Sequence, residues 1–366
     1  MGLRRCAVEE MVLTERMNSE FWRDKRVFLT GHTGFKGSWL SLWLSQLGAE
    51  ITGYSLAADT NPNLFSLARI SDLVSHHVGD IRELERLKAA MEKVDPEIVF
   101  HLAAQSLVRR SYADPIATYS TNVIGTANVL EAVRTLKNVR ACLIVTSDKC
   151  YANQERHEAY VESDPMGGFD PYSSSKGCAE LVADSYRRSF FAGGVCSIAS
   201  ARAGNVIGGG DWAEDRLVPD LVRSVQAGAA VKVRNPAATR PWQHVLEPLS
   251  GYLQLAQAMW SDKAGNSSAW NFGPNTQDTK PVSFVLDKLI AEWGPPAAWE
   301  RDSRNHPHEA KLLHLDSTKA RTRLGWNPRW NIEQALGATV NWYKGWMQGK
   351  DARKLSMEEI AEYENS

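Results

Sequence analysis

Tyr172 and Lys176 stand four residues apart, the spacing that places two side chains on one face of a helix. An ammonium one turn from a phenol stabilises phenolate and so lowers the phenol pKa. A phenol tuned in this way can act as a base toward a hydroxyl near neutral pH. Taken alone the pair is ordinary, because tyrosine and lysine on one helical face commonly just cover surface. A second group lies in Thr146-Ser147-Asp148-Lys149-Cys150-Tyr151. Ser147 offers a hydroxyl, Asp148 a carboxyl and Lys149 an amine; the alternative is a strand end carrying solvated charges. A third feature is the run Thr30-Gly31-His32-Thr33-Gly34-Phe35-Lys36-Gly37, with glycines at spacings of three and three. Backbone N–H groups of such a loop, at the positive end of a helix dipole, can cradle a pyrophosphate.

These residues need elements to hold them. Lys25 to Thr30 reads as a short buried strand, and Ser38 to Leu47 as a helix with Leu40, Trp43, Leu44 and Leu47 at helical spacing. Strands are expected at Glu50 to Leu56, Glu97 to Leu102, Ala141 to Thr146 and Val195 to Arg202, and helices at Arg82 to Lys93, Tyr119 to Thr135 and Pro171 to Phe191. The alternation predicts right-handed βαβ units and an α/β fold: a Rossmann-like doubly wound parallel sheet with a smaller, mainly C-terminal substrate-binding lobe. Residues 146–151 then close a strand at its carboxyl end, where such sheets place their ligands. Residues 1–20 read as an N-terminal extension, and 21–203 with about 241–274 as the dinucleotide-binding domain. Residues 204–240 with about 275–350 read as the second lobe, and 351–366 as a charged tail, either a surface helix or a frayed end.

A chain of 366 residues exceeds what one hydrophobic core usually supports, which favours a large domain carrying a lobe. The net charge of -1 gives no reason to expect a nucleic-acid surface. Five cysteines without CxxC pairing argue against a zinc module or a disulfide framework and for a reducing compartment; no metal is expected. No apolar run approaches the roughly 20 residues that span a bilayer. Arg4, Arg5, Glu9, Glu10, Glu15 and Arg16 interrupt the first 20 residues, so no signal peptide is read there and a cytoplasmic protein is expected. The thirteen tryptophans are scattered, and core or cleft lining accounts for most.

At the end of the second strand, NAD-binding folds offer an acid to the ribose and NADP-binding folds an arginine. Here stand Tyr54, Ser55 and Leu56, with Asp59 the first carboxylate and no arginine. NAD is therefore favoured, on an incomplete signal. His32 and Lys36 are larger and more basic than a glycine turn requires, and are either phosphate contacts or solvated. Asp80, followed by Ile81, is placed after a third strand either to hydrogen-bond an adenine or to stand as a solvated loop acid.

The runs TGHTGFKG, HLAAQSLVRRSYADP, TSDKCY, DPMGGFDPYSSSKGCAELV and ARAGNVIGGGDWAEDRLVPD resemble the extended short-chain dehydrogenase/reductase superfamily, and within it the CDP-glucose 4,6-dehydratase family. The resemblance spans about residues 21–342, is specific in TSDKCY and PMGGxDPYSSSK, and is generic in the glycine loop. It implies that Gly31 to Gly37, Asp80, Ile81, Ala103, Tyr172 and Lys176 hold NAD, and that the substrate is a nucleotide sugar, CDP-glucose. Tyr172 would take the O4 proton, aided by Ser147 and Lys176, while the C4 hydride passes to the cofactor. Asp148 would protonate the departing C6 hydroxyl, and hydride would return to C6. Relatives that act on dTDP-glucose carry a glutamate where Lys149 stands, and that glutamate removes the C5 proton. Lys149 is either the base here, held neutral, or a phosphate or substrate contact.

For the nucleotide, the resemblance implies Asn205, Arg216 and Leu217. Arg240 is suited to bidentate phosphate binding, whereas Arg202 reads as a structural ion pair. Gln105 and Arg109 would border the sugar pocket. A homodimer, or a dimer of dimers, is expected through helices Tyr119 to Thr135 and Tyr172 to Phe191. The rivals are another NDP-sugar dehydratase, a sugar-nucleotide 4-epimerase, which does nothing at C5, and a catalytically silent dinucleotide-binding scaffold.

Overall fold

The structure is a computed structural model that describes residues 17–194, 196–304 and 312–366. Expectations for residues 1–16 therefore lie outside the described residues. Seven strands make one sheet: β1 (Arg26–Thr30), β2 (Glu50–Ser55), β3 (Ser75–Val78), β4 (Ile98–His101), β5 (Ala141–Val145), β6 (Ser197–Ala203) and β7 (Ala269–Phe272). Their order is β7-β6-β5-β4-β1-β2-β3, and every neighbouring pair is parallel. The order reverses at β1, so the clefts for ligands open at the carboxyl ends of β1, β4 and β5.

Buried strands read as continuous apolar runs because helices cover both faces. β5, Ala-Cys-Leu-Ile-Val, is buried at all five positions. One face packs under α1 (Phe35–Gln46) and α6 (Leu246–Ser261), with Trp39, Trp43 and Trp270 fully buried. The other packs under α2 (Leu84–Val94), α3 (Gly125–Thr135) and α4 (Pro171–Phe190). Pro171 at the first position and Asp170, whose carboxylate accepts from Ser173 N–H at 2.9 Å, fix the start of α4 and hence the place of Tyr172.

Most element ends fall within three residues of expectation. The helix expected from Tyr119 starts earlier, at Pro115, and passes through a π-helical stretch, Ser120–Ile124, before α3. Asn122 in that stretch is buried, and its Nδ2 donates to Ser175 Oγ at 2.8 Å. Beyond Ala203 the strands are short. Val206–Ile207 pairs with Gln243–His244, Thr239–Pro241 with Thr279–Pro281, and Val231–Val233 with Trp299–Arg301. They frame α5 (Leu217–Gln226), α7 (Val282–Trp293) and α8 (Ile332–Met347).

The C-terminal segment is a helix, as one of its two expected forms has it, and one face of that helix is buried. It forms α9 (Ala352–Glu364), with Ala352, Ser356, Ile360 and Tyr363 buried. Those four share one face, so the charged residues between them hid an amphipathic stripe. Tyr363 O–H donates to the buried Glu247 carboxylate at 2.7 Å, and Trp43 Nε1–H donates to Glu364 at 2.8 Å.

Candidate active site

The glycine loop runs directly from β1 into α1. Gly31 has φ +80°, and a Cβ there would lie 2.6 Å from the Ala103 nitrogen; a Cβ on Gly37 would lie 2.1 Å from the Gly31 carbonyl oxygen. Only glycine allows this approach of loop, helix and β4. Gly34 caps α1 without any side-chain bond, leaving the N–H groups of the first turn facing outward for an anion. These features suit a dinucleotide pyrophosphate.

Thr33 donates to the Leu56 carbonyl at 2.9 Å and shares a hydrogen bond with Ser55, so it braces the loop against β2. His32 is neither solvated nor a side-chain phosphate contact. Its ring is fully buried against Gly53, with Nε2 2.6 Å from His76 Nδ1. Burial, with His76 and His77, pushes its pKa down to about 3. The absence of a side chain on Gly53 makes the room, a relation between strands that spacing alone does not reveal. Lys36 faces the reacting residues: burial, then Arg216, lowers it to about 7, with Lys176 and Lys149 adding and Asp148 opposing.

Asp80 carries a bidentate bond from Arg82, Nε to Oδ1 at 3.0 Å and Nη2 to Oδ2 at 2.5 Å, which holds it below the ordinary carboxylate range. Its carboxylate is therefore occupied by its own loop. Ile81 is buried with its carbonyl accepting from Asn128, and Ala103 N–H donates to Thr30 Oγ1 at 3.2 Å.

The end of β5 turns through a short 3₁₀ segment, Asp148–Cys150. Ser147 Oγ donates to Asp148 Oδ1 at 2.9 Å, and Lys149 Nζ lies 3.4 Å from the same oxygen. Asp148 is fully buried, and its Oδ2 has no hydrogen-bond partner among the described residues. Tyr172 lies beside this turn, where the Ser147 hydroxyl favours the ionised phenol. Burial pushes the phenol up from its ordinary value; the strongest opposing pull comes from Lys149. The expectation of a phenol lowered by Lys176 is thus corrected in sign and in partner. Lys176 instead reaches the Val145 carbonyl at 3.4 Å, and burial lowers it to about 8.

Of the expected substrate contacts, Gln105 turns away. Its Oε1 accepts from Leu107 N–H and its Nε2 donates to Thr118 at 2.9 Å, so the side chain closes its own loop. Arg109 crosses to Asp215 at 2.9 Å. Arg234, which no motif marked, meets the same carboxylate at 2.8 Å. Arg216 bonds Asp211 at 2.9 Å and Ser106 at 3.0 Å, and Leu217 opens α5. Arg240 is buried, donating to the Thr239 carbonyl at 3.0 Å. Asn205 Oδ1 is a buried acceptor without a partner among the described residues. Arg202 forms the structural ion pair expected of it, with Glu180 at 2.8 Å. Breaking a pair so buried costs about 3–5 kcal/mol.

A parallel doubly wound sheet with a glycine loop at β1 and a Ser-Tyr-Lys set at the end of β5 and on α4 has the architecture of the extended short-chain dehydrogenases/reductases. The model of the family described as GDP-mannose 4,6 dehydratase matches residues 28–339, and the chain belongs to that family. It is 54% identical over 353 residues to CDP-glucose 4,6-dehydratase of Salmonella typhimurium strain LT2, covering 95% of this chain and 98% of the relative. Two solved structures share the fold. One is dTDP-glucose 4,6-dehydratase from Bacillus anthracis in complex with NAD: TM-score 0.72, 22% identity, 89% of this chain and 99% of the other. The other is UDP-glucose 4-epimerase from Thermotoga maritima with UDP-glucose: TM-score 0.77, 20% identity, 88% of this chain and 99% of the other. Among the described residues, no helix is long and apolar enough to cross a membrane.

Proposed function

We propose that the chain is an NAD-dependent CDP-glucose 4,6-dehydratase, making CDP-4-keto-6-deoxyglucose for deoxysugar synthesis of the lipopolysaccharide O-antigen type. The observation that carries the dehydration is the Asp148–Lys149 pair beside Tyr172. The nucleotide and sugar rest on the name of the Salmonella typhimurium relative.

When bound, NAD would supply a hydride acceptor for C4 and a hydride donor for C6. Tyr172 takes the O4 proton, with the Ser147 hydroxyl and the Lys149 charge steadying the phenolate. Lys176 would hold the nicotinamide ribose. The C4 ketone acidifies C5–H. Elimination needs a base and an acid: Lys149, as a free amine, takes the C5 proton while a protonated Asp148 gives its proton to the C6 hydroxyl as water leaves, and the ammonium so formed returns a proton to C5 when hydride reaches C6.

The backbone of Gly31 to Gly37 and Lys36 would hold the cofactor diphosphate, with Ile81 and Ala103 along the adenosine side. The substrate diphosphate would lie among Asn205, Arg216 and Arg240, with Arg109 at the rim and Leu217 at the start of α5, under a lobe of 204–240 and about 275–350. A homodimer, or a pair of dimers, would form through α3 and α4. A cytoplasmic setting accords with the unpaired Cys142, Cys150, Cys178 and Cys196. Incubation with CDP-, dTDP-, UDP- and GDP-sugars and NAD tests the reading. A 4-keto-6-deoxy product from CDP-glucose is expected; turnover of none of them would overturn the dehydratase, and C4 inversion would make the chain an epimerase.

A further inference from the structure

Glu180 lies one turn beyond Lys176 on α4, and apart from its charge acting on Lys176 it reaches the groups assigned to the reaction above through other residues. It is buried at 4% exposure, as is Arg202 on β6. Both carboxylate oxygens are used. Oε1 accepts from Thr146 Oγ1, and Oε2 accepts from Ser200 Oγ at 2.7 Å and from Arg202 at 2.8 Å. Burial opposes the charge on Glu180, but Arg202 and the hydrogen bonds outweigh it and hold the carboxyl below its ordinary value.

The other arm of Arg202 donates to the Tyr151 hydroxyl at 2.8 Å and to the Glu162 carbonyl at 3.1 Å. Thr146 immediately precedes the reacting turn and Tyr151 immediately follows it. One buried ion pair therefore grips both ends of the segment that carries Ser147, Asp148 and Lys149. The linkage continues outward: Tyr151 O–H donates to Asn271 Oδ1 at 2.7 Å, and Asn271 Nδ2 donates to the carbonyls of Tyr160 and Asp316 at 2.9 and 3.0 Å.

We infer that Glu180 and Arg202 are positioning residues, which set the 147–150 turn against Tyr172 and tie its place to the chain around Tyr160 and Asp316. A buried pair is a costly way to gain stability alone, since apolar replacements often do as well. Reactions of this kind tolerate little misplacement, and a shift of about 1 Å can cost on the order of a hundredfold in rate. The inference rests on the dehydratase reading for its kinetic test, and its structural test is independent of it.

The test compares variants that each remove one hydrogen bond to Glu180 and leave the ion pair intact. Thr146→Val cuts the bond to the reacting turn; Ser200→Ala cuts the bond on the far side. Thr146→Val should lower kcat about tenfold or more with KM unchanged, Thr146→Ser should restore it, and Ser200→Ala should turn over like the wild type despite a similar loss in Tm. Equal kcat in Thr146→Val and Ser200→Ala would overturn the inference. A crystal structure of full-length Thr146→Val should show the 147–150 turn displaced from Tyr172. An undisplaced turn would overturn it whatever the substrate proves to be.

Discussion

Lys149 Nζ lies 3.4 Å from Asp148 Oδ1, while the other carboxylate oxygen, Oδ2, is buried and unmet among the described residues. The pair thus presents one oxygen to the amine and leaves the other buried beside Gly204, where a Cβ would lie 3.0 Å from it. Ser147 Oγ also bonds Oδ1, so Oδ2 is the carboxylate oxygen without a partner among the described residues.

Asp148→Asn removes the acid while keeping the shape. Bound NAD should still be reduced on adding CDP-glucose, seen as absorbance of the reduced nicotinamide. Product should fall by about a hundredfold or more, the usual contribution of a positioned acid. Normal product formation would remove Asp148 from the role.

Lys149→Met removes the amine and keeps the stem. Product should fall by about a hundredfold or more, and sugar recovered from heavy water should carry no deuterium at C5. Deuterium at C5 in this variant would assign the base to another group. Cofactor reduction should slow as well, because Lys149 is the strongest cationic pull on the Tyr172 phenol.

Much of this site was legible in residue order. The glycine loop sits between a strand and a helix in sequence, so its place at β1 and α1 followed from local pattern. Tyr172 and the 146–151 turn followed from the same logic of strand ends. The relations that were hidden join residues distant in the chain. Lys149 rather than Lys176 governs the phenol because two elements meet there, while Lys176 turns to β5. His32 is buried because Gly53, on another strand, vacates the space. Gln105 is held by Thr118 and Leu107 instead of facing the sugar. Glu180, four residues after Lys176, offered a helical spacing that was readable, but its partners on β5 and β6 were not. In α9 the charges masked the buried stripe of Ala352, Ser356, Ile360 and Tyr363.

His32 and His101 predict an acid-labile fold. Both imidazoles are buried and pushed to about 3, mainly by burial, whereas in the unfolded chain they titrate near 6.5. Between those values the unfolded state binds more protons, so stability is full above about pH 6.5 and falls as pH drops toward 3. Urea unfolding at a series of pH values should show a slope approaching two protons from these groups, on top of any carboxylate contribution. His101 Nδ1 meets Thr30 at 2.7 Å and Nε2 meets Thr126 at 3.1 Å, so His101→Gln should remove about one proton from the slope. An unchanged slope would clear His101.

Lys36 predicts pH-dependent cofactor binding. It is lowered to about 7, so its ammonium is already scarce at pH 8 in the free protein. A bound diphosphate favours the charged form, and binding should therefore take up a proton. Affinity should weaken as pH rises from 7 to 9, by up to about tenfold per unit where the proton is fully taken up. Fluorescence titration with NAD at pH 6.5, 7.5 and 8.5 measures it. Lys36→Met should bind more weakly at pH 6.5 and show a flatter profile; an equally steep profile would point to Lys176, which is lowered to about 8.

The dimer proposal makes a separate claim about α3 and α4, which pack against each other. Outside that contact Leu181 on α4 is 61% exposed, Ile124 at the end of the π-helical stretch before α3 is 54% exposed, and Ile116 on the short helix before that stretch is 77% exposed. Large apolar side chains clustered on exposed helices mark an association surface more often than an idle one. A two-fold axis would set each patch against its own copy, so one substitution strikes the interface twice. Leu181→Glu should therefore shift the sedimentation coefficient from dimer to monomer while leaving Tyr172 and Lys176, on the far side of the helix start, in place. A wild-type protein that sediments as a monomer, or a Leu181→Glu variant that remains a dimer, would move the interface away from these helices.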